Sequence, residues 1–200
     1  MSDIVYYFKN NLYINLTNKC PVKCRYCIKY KWDYKFYEYD LRIKETVVEE
    51  VLAKLEESIK KYSGVKEVVF CGYGEPLMEY KKVIEISKWL KKNYPKIKIR
   101  INTNGLANAW HKTNVLKYLK GLVDKIYISL NAHNEKVYKK LHITKIKSPF
   151  KKILDFIETA KKYIPQVVVT TIDYPGIDKK EVKKIVKKLK VKFKSRKFLD

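Results

Sequence analysis

The sequence is poor in acidic residues and in glutamine, and it has no long hydrophobic run. It contains 21 Asp and Glu against 45 Lys and Arg, and Gln166 is its only glutamine. No apolar run approaches the roughly 20 residues that a membrane-spanning helix needs, so we expect no membrane contact. The first residues, Met1-Ser-Asp-Ile4, lack the basic and apolar regions of a secretion signal, so we expect a cytoplasmic protein.

The formal net charge of +24 at pH 7 leaves two interpretations open. An excess of Lys and Arg is typical of proteins that bind nucleic acid. Here, however, lysine dominates the basic set and is spread over nearly every predicted helix, and isoleucine and tyrosine are heavily used. That composition is typical of heat-adapted proteins that avoid thermolabile amides. We favour the second interpretation and keep a nucleic-acid partner as the alternative.

Cysteine is scarce and clustered. Three of the four cysteines, Cys20, Cys24 and Cys27, lie within eight residues at the spacing C-x₃-C-x₂-C. Such clustering indicates metal binding in a reducing compartment rather than disulfides, and three thiolates suit zinc or an iron–sulfur cluster. Structural zinc takes four protein ligands, but no histidine lies within forty residues of the triplet. The pattern favours a four-iron cluster with one open iron. The alternative is a zinc-stabilised binding module that also uses Cys71.

Strand and helix signals alternate along the chain. Apolar runs predict strands over 12–16, 65–71, 97–101, 125–130, 166–172 and 191–198, and helical periodicity predicts helices over 45–62, 79–93, 113–120, 149–163 and 178–190. Such alternation implies right-handed βαβ units and a parallel sheet. Six units fall short of the eight in a closed barrel. We therefore predict an α/β fold, an open partial (β/α)₆ TIM-like barrel with a parallel six-stranded sheet, as a single domain over 1–200.

Polar and glycine motifs follow three of the predicted strands. Residues 72–76 read Gly-Tyr-Gly-Glu-Pro, residues 102–105 read Asn-Thr-Asn-Gly, and residues 129–131 read Ser-Leu-Asn. Glycine lets a backbone approach a ligand closely, the glutamate is an acceptor for a cation, and short hydroxyl and amide groups hydrogen-bond ribose or carboxylate. Asn-Gly is also an ordinary turn signal. Sites in parallel α/β folds lie at the C-terminal ends of strands, so these motifs are expected to lie close together.

The cysteine triplet, with Tyr26 directly before its third member, resembles the signature of the radical S-adenosylmethionine (SAM) enzymes. This resemblance implies that Cys20, Cys24 and Cys27 hold a [4Fe–4S] cluster whose fourth iron chelates the amino and carboxylate groups of SAM. It also implies that an electron, supplied by a donor such as flavodoxin or ferredoxin, splits SAM into methionine and a 5′-deoxyadenosyl radical. The superfamily's partial (β/α)₆ barrel agrees with the predicted fold.

The resemblance further implies that the other motif residues contact SAM. In the family the glycine–glutamate motif engages the methionine amino group, and polar residues at the end of the fourth strand engage ribose or carboxylate. The tyrosine of the cysteine loop is expected beside the adenine. The implied SAM contacts are Tyr26, Gly72, Gly74, Glu75, Asn102, Asn104, Ser129 and Asn131.

The combination of motifs is most similar to the TatD-associated radical SAM proteins, a branch named for a link to TatD-type metal-dependent hydrolases. A TatD-type hydrolase is therefore an implied partner. The branch implies no settled substrate, and the sequence identifies no catalytic residue that would act on one. The prediction is an enzyme that cleaves SAM and acts on an unidentified substrate, with modification of RNA or another nucleic acid as the alternative.

Overall fold

The computed structural model of the protein describes residues 3–199, and the outermost residues of the predicted domain, 1–2 and 200, lie outside the described residues. The strands in this range are β1 (Val5–Phe8), β2 (Asn11–Ile14), β3 (Lys23–Cys24), β4 (Lys35–Phe36), β5 (Tyr39–Asp40), β6 (Glu67–Phe70), β7 (Lys98–Thr103), β8 (Lys125–Ser129), β9 (His142–Ile143), β10 (Gln166–Asp173) and β11 (Lys192–Lys197). The helices are α1 (Ile28–Lys31), α2 (Val48–Lys61), α3 (Tyr80–Asn93), α4 (Ala107–His111), α5 (Glu135–Leu141), α6 (Pro149–Ala160) and α7 (Lys179–Lys188), and 3₁₀ turns span Pro76–Glu79 and Val115–Leu119. None of these helices is both long and apolar enough to cross a membrane.

Seven of the strands form one sheet in the order β1-β2-β6-β7-β8-β10-β11. All neighbours are parallel except β1 and β2. Because the parallel strands follow chain order, each right-handed crossover places its helix on the same side of the sheet. We call this side the helix face and the opposite side the inner face. The architecture confirms the predicted α/β class with a mostly parallel sheet.

The prediction of six parallel strands missed β1, which pairs with β2 as an antiparallel hairpin. Both residues of its two-residue turn, Lys9 and Asn10, have positive φ, at 48° and 61°. That geometry belongs to a type I′ turn, which usually carries Asn-Gly. The Lys-Asn pair lacks the familiar sequence signal, so the hairpin was not predicted.

Several helical segments also differ from the prediction, which lacked the short helices α1, α4 and α5. The helix expected over 113–120 is a 3₁₀ turn, capped by the side chain of Asn114. Helix α5 was not predicted, because its seven residues are too few to display a helical period. It begins where the side chain of Asn134 accepts a 2.8 Å hydrogen bond from the backbone N–H of Val137. Asp178 caps α7.

The helix face is apolar because each long helix turns one periodic stripe toward the sheet. In α2, Val51 and Leu55 are fully buried and lie four residues apart, on one side of the helix. On β6, Val68 and Phe70 join the main apolar core, whereas Val69 between them lies on the inner face. Burial of one such side chain stabilises the fold by about 1.5–3 kcal/mol, so this face supplies the stability of the domain.

The inner face is covered at its β1 end by residues 28–43. The ring of Phe36 packs against Tyr6 and Phe8, with ring centroids 5.8 and 5.1 Å apart. The fully buried Asn15, directly after β2, ties this segment to the sheet, because its Nδ2 donates to the carbonyl oxygen of Leu41 at 2.7 Å. The Oδ1 of Asn15 accepts from the backbone N–H of Tyr73 at 3.3 Å. One buried amide therefore joins three segments.

We predict that Asn15→Ala lowers the free energy of unfolding by about 1–3 kcal/mol, because it removes the two hydrogen bonds that a fully buried amide makes to Leu41 and Tyr73. Urea denaturation followed by circular dichroism measures this change. The matched control is Asn93→Ala, whose side chain is exposed and bonds only to its own helix; we expect a change within about 0.5 kcal/mol. Equal effects of the two substitutions would contradict the bridging role of Asn15.

Candidate active site

The cysteine triplet lies in a loop at the C-terminal edge of the sheet, directly after β2. The short strand β3, which contains Cys24, pairs with β9. The backbone N–H of Arg25 donates to the carbonyl oxygen of Leu141 at 3.0 Å, and the hydroxyl of Thr144 donates to that of Pro21 at 2.9 Å. These bonds clamp the cysteine loop to the end of α5. Sequence analysis did not predict this contact, because its two sides lie more than one hundred residues apart.

The glycine motif packs against the other side of the cysteine loop. A Cβ atom on Gly74 would lie 2.1 Å from the carbonyl oxygen of Thr17 and 2.7 Å from that of Lys19. A Cβ atom on Gly72 would lie 1.9 Å from Oδ1 of Asn15. Both positions therefore require glycine for contact between protein segments. Sequence analysis predicted that these glycines let the backbone approach a ligand. In the structure they let it approach the segment that leads into the cysteine loop.

Glu75 is 2% exposed and connects the glycine motif to the end of β7. Its Oε1 accepts from the hydroxyl of Thr103 at 2.8 Å and from the backbone N–H of Leu77 at 3.1 Å. Its Oε2 accepts from the backbone N–H of Asn104 at 2.7 Å. A carboxylate has about four acceptor positions, so about one is left for a ligand cation. Burial raises the pKa of Glu75 to about 7, although the three hydrogen bonds oppose this rise.

Asn104 is one of two predicted site residues that reach the cysteines, and the other, Tyr26, hydrogen-bonds Cys24. Its Nδ2 donates to the Sγ of Cys20 at 3.6 Å, while its Oδ1 accepts from the backbone N–H of Leu106 at 2.9 Å. Burial raises the pKa of Cys20 to about 11 and that of Cys24 to about 12, the latter also through the neighbouring thiols Cys20 and Cys27. Lys29, a buried lysine that sequence analysis did not single out, opposes both shifts with its positive charge.

These thiols fit an iron–sulfur cluster better than a single metal ion. Within residues 3–199, no three His, Cys, Asp or Glu side chains lie close enough together to bind one ion. In a four-iron cluster each thiolate binds a different iron, so the three sulfurs do not have to converge on one point. The thiol of Cys71 lies beside Asn102, and burial raises its pKa. Nothing in the described geometry supports the zinc-module alternative, in which Cys71 joins the triplet.

Tyr26 and Asn131 meet at the ends of β8 and β10. The hydroxyl of Tyr26 hydrogen-bonds Nε2 of His142, and its ring lies 5.0 Å from that of Tyr174. Burial raises the pKa of Tyr26, and a hydrogen bond with Asn131 opposes the rise. Nδ1 of His142 faces the carbonyl oxygen of Tyr138 at 2.9 Å and must be its donor, so Nε2 accepts from Tyr26. Burial lowers the pKa of His142, which favours this neutral ring.

The two remaining predicted residues lie on the inner face, beside arginines that sequence analysis did not identify. Oδ1 of Asn102 accepts from Arg100 at 2.8 Å, and Oγ of Ser129 lies 3.4 Å from Nη2 of Arg196. The structure therefore brings Glu75 and Asn104 to the cysteine loop, joins Tyr26 to Asn131, and pairs Asn102 with Arg100 and Ser129 with Arg196. The alternating basic residues of β7 and β11 were the signal for the arginines, but alternation alone does not reveal which face is enclosed.

We predict that the stability difference between wild type and Glu75→Gln depends on pH. The folded pKa of Glu75, about 7, lies above the unfolded value of about 4.3, so between these values the folded state binds more protons. The contribution of the carboxyl group to stability is therefore largest below about pH 4 and falls as pH rises through 7, by up to about 3 kcal/mol. Urea denaturation of both proteins from pH 5 to pH 8 measures it; a difference that stays constant would contradict the raised pKa.

Comparison with curated proteins finds relatives that are longer than this chain. It is 29% identical over 178 residues to a probable GTP 3′,8-cyclase of Methanocella arvoryzae, with 88% of this chain and 52% of that protein covered. It is 23% identical over 211 residues to the FeMo cofactor biosynthesis protein NifB of Azotobacter vinelandii, with 96% and 40% covered. It is 25% identical over 182 residues to the dual-specificity RNA methyltransferase RlmN of Buchnera aphidicola, with 80% and 45% covered. The chain spans about half the length of these curated relatives, or less.

Solved structures share the fold. A structure of TYW1 with a lysine-pyruvate adduct bound has a TM-score of 0.65 at 15% identity, with 96% of this chain and 65% of that chain covered. Native anSMEcpe with bound AdoMet has a TM-score of 0.60 at 18% identity, with 94% and 51% covered. At these identities the likeness establishes the fold alone.

The family model of the radical SAM superfamily matches residues 14–189. The match begins at the end of β2, includes the cysteine loop and all the motifs that follow it, and ends just after α7. The cofactors of the family are a [4Fe–4S] cluster and S-adenosylmethionine. The chain belongs to the radical SAM superfamily of enzymes.

Proposed function

We propose that this protein reductively cleaves SAM and uses the resulting radical to take a hydrogen atom from its substrate. When bound, the cluster and SAM together supply the 5′-deoxyadenosyl radical. The observation that carries the proposal is the position of the cysteine loop, which lies between the glycine motif on one side and the end of α5 on the other. We propose Cys20, Cys24 and Cys27 as the ligands of three irons.

In this proposal the surrounding residues keep the thiolates in place and stabilise their charge. The amide of Asn104 donates to Cys20, and hydrogen bonds to cluster sulfurs tune a cluster's reduction potential. Lys29 contributes a buried positive charge, and its Nζ is held 3.3 Å from the carbonyl oxygen of Asn18. The reduced cluster would receive its electron from a donor such as flavodoxin or ferredoxin, since the radical SAM chemistry of the family needs one.

We propose that SAM lies across the C-terminal edge of the sheet, beside the cysteine loop. The remaining acceptor position of Glu75 suits the SAM amino group, and the glycines before it let Glu75 lie close to the cysteine loop. The hydroxyl and amide groups at the end of β8 suit ribose or carboxylate, and the Tyr26 ring suits the adenine side. The proposed SAM contacts are Tyr26, Gly72, Gly74, Glu75, Asn102, Asn104, Ser129 and Asn131.

We also propose that the chain is one domain over 1–200, that it works in the cytoplasm, and that it belongs to the TatD-associated branch. The motifs quoted above support the branch, and clustered free thiols suit a reducing compartment. A TatD-type hydrolase is the partner that this branch suggests. The reacting substrate and the residues that act on it are not assigned by the motifs.

Modification of RNA is the second candidate function. One relative is an RNA methyltransferase, and the chain carries a net charge of +24. A surface groove near α4 is lined by lysines around Trp110, which is 45% exposed. Exposed aromatic rings among cations suit stacking with bases and binding of phosphates. Salt-dependent retention of RNA during purification would favour this candidate.

The test of the main proposal is anaerobic reconstitution with iron and sulfide, followed by incubation with SAM and dithionite. We expect a brown wild-type protein that makes 5′-deoxyadenosine, measured by liquid chromatography and mass spectrometry. Cys24→Ala should lose the colour and the product, because one iron loses its thiolate ligand.

The matched control is Cys71→Ala, at a half-buried cysteine outside the loop, which should keep the iron content and the product. A colourless wild-type protein that holds stoichiometric zinc would contradict the proposal. So would loss of iron in Cys71→Ala equal to the loss in Cys24→Ala.

A further inference from the structure

The inner face of the sheet is charged where parallel barrels are normally filled. Layers of branched aliphatic side chains usually occupy this position. Here strand alternation places at least six cations on this face, and for four of them Glu67 is the one carboxylate in the described part of the chain that forms a salt bridge with any member. These four cations are Arg100, Lys125, Lys194 and Arg196. Glu67 pairs with Arg100 and Lys125 and not with Lys194 or Arg196.

Arg100 is held rigidly. Its side chain is 11% exposed, its Nε lies 2.7 Å from Oε2 of Glu67, and its Nη1 donates to Asn102 at 2.8 Å. Its guanidinium lies over the ring of Tyr127, 4.6 Å from the ring centroid. Glu67 also bonds Lys125 at 2.9 Å, so two cations share one carboxylate. A positive charge fixed in this way is pre-organised for an anion.

Two cations of β11 reach across a neighbouring strand toward β8. Nζ of Lys194 lies 6.0 Å from the centroid of Tyr127, and Nη2 of Arg196 lies 3.4 Å from Oγ of Ser129. Strand β10 lies between β8 and β11, and at these registers it contributes Val168, Thr170 and Ile172 to the inner face. The long cationic side chains of β11 thus pass over the shorter inner-face side chains of β10.

Protection of an exposed sheet edge does not account for this arrangement. Charged residues on an edge strand discourage pairing with another chain. A charged side chain has this effect whichever way it points into solvent. Lys194 and Arg196 instead turn inward toward neighbouring inner-face residues of β8, Lys194 toward Tyr127 and Arg196 toward Ser129. Neither has a carboxylate partner among residues 3–199, although mutual repulsion disfavours such an approach.

We propose that Arg100, Tyr127, Lys194 and Arg196 form a cation groove that binds an anionic group of the substrate, a carboxylate or a phosphate. The inference rests on the proposed function, because it takes the C-terminal edge as the place where SAM is cleaved. Tyr127 precedes Ser129 by two residues, roughly 7 Å along the strand. An anion held there anchors the substrate beneath the proposed SAM contacts, with its other end toward the radical.

The test is isothermal titration of the reconstituted full-length protein, at low salt, with two probes: inorganic pyrophosphate and succinate. Lys194→Gln and Arg196→Gln should each weaken the binding of the preferred probe about tenfold, the loss expected for one charge-assisted hydrogen bond. The matched control is Lys197→Gln, on the same strand and by alternation on the opposite face, which should change the affinity less than about twofold. Preference for one probe identifies phosphate or carboxylate.

The same titration in the presence of SAM separates a substrate anion from the carboxylate of SAM itself. We expect pyrophosphate or succinate to bind equally well with SAM present; competition with SAM would overturn the substrate assignment. An equal loss in Lys197→Gln, or no loss in either groove variant, would overturn the groove. Thermal melting confirms that each variant is folded.

The titration needs no turnover, so its result is independent of the proposed function. A wild-type protein that makes 5′-deoxyadenosine but binds neither probe would overturn the groove alone. A wild-type protein that binds a probe through Lys194 and Arg196 but makes no 5′-deoxyadenosine would overturn the proposed function. The anion site would then stand without it.

Discussion

The close contact between Gly74 and the carbonyl oxygen of Thr17 is the constraint on which the site depends. No side chain fits at that position, so the glycine motif and the cysteine loop pack backbone to backbone. This contact brings Glu75 under the loop, where its carboxylate collects donors from Thr103 and Asn104. The glycine motif therefore holds one side of the cysteine loop, and the β3–β9 pairing holds the other.

The two faces of the sheet serve different purposes. The helix face buries aliphatic side chains and provides the stability, so the inner face is free to carry polar groups. A buried ion pair such as Arg100–Glu67 adds little net stability, because desolvation offsets its attraction. Its retention inside the domain is better explained by a role in binding, and fold similarity at 15–18% identity says nothing about which substrate is bound.

The open sheet has two edge strands, β1 and β11, and different kinds of side chain lie at each. Residues 28–43 cover the β1 edge with aromatic side chains that pack on Tyr6 and Phe8. The β11 edge carries Lys and Arg, which discourage pairing with a second chain. Two of these cations also turn inward over β10. The β11 edge therefore also carries two residues of the proposed cation groove.

The sequence alone determined the alternation of strands and helices, the family signature and the strand ends at which the motifs lie. Period and spacing are local properties of the chain, so they are readable without the fold. The sequence could not predict the β1 hairpin, because Lys9-Asn10 is an unusual type I′ turn. It could not predict that Gly74 meets Thr17, that Tyr26 meets His142, or that Arg196 reaches Ser129. These pairs are separated by between 57 and 116 residues, and only the packing of the sheet and its loops decided which side chains meet.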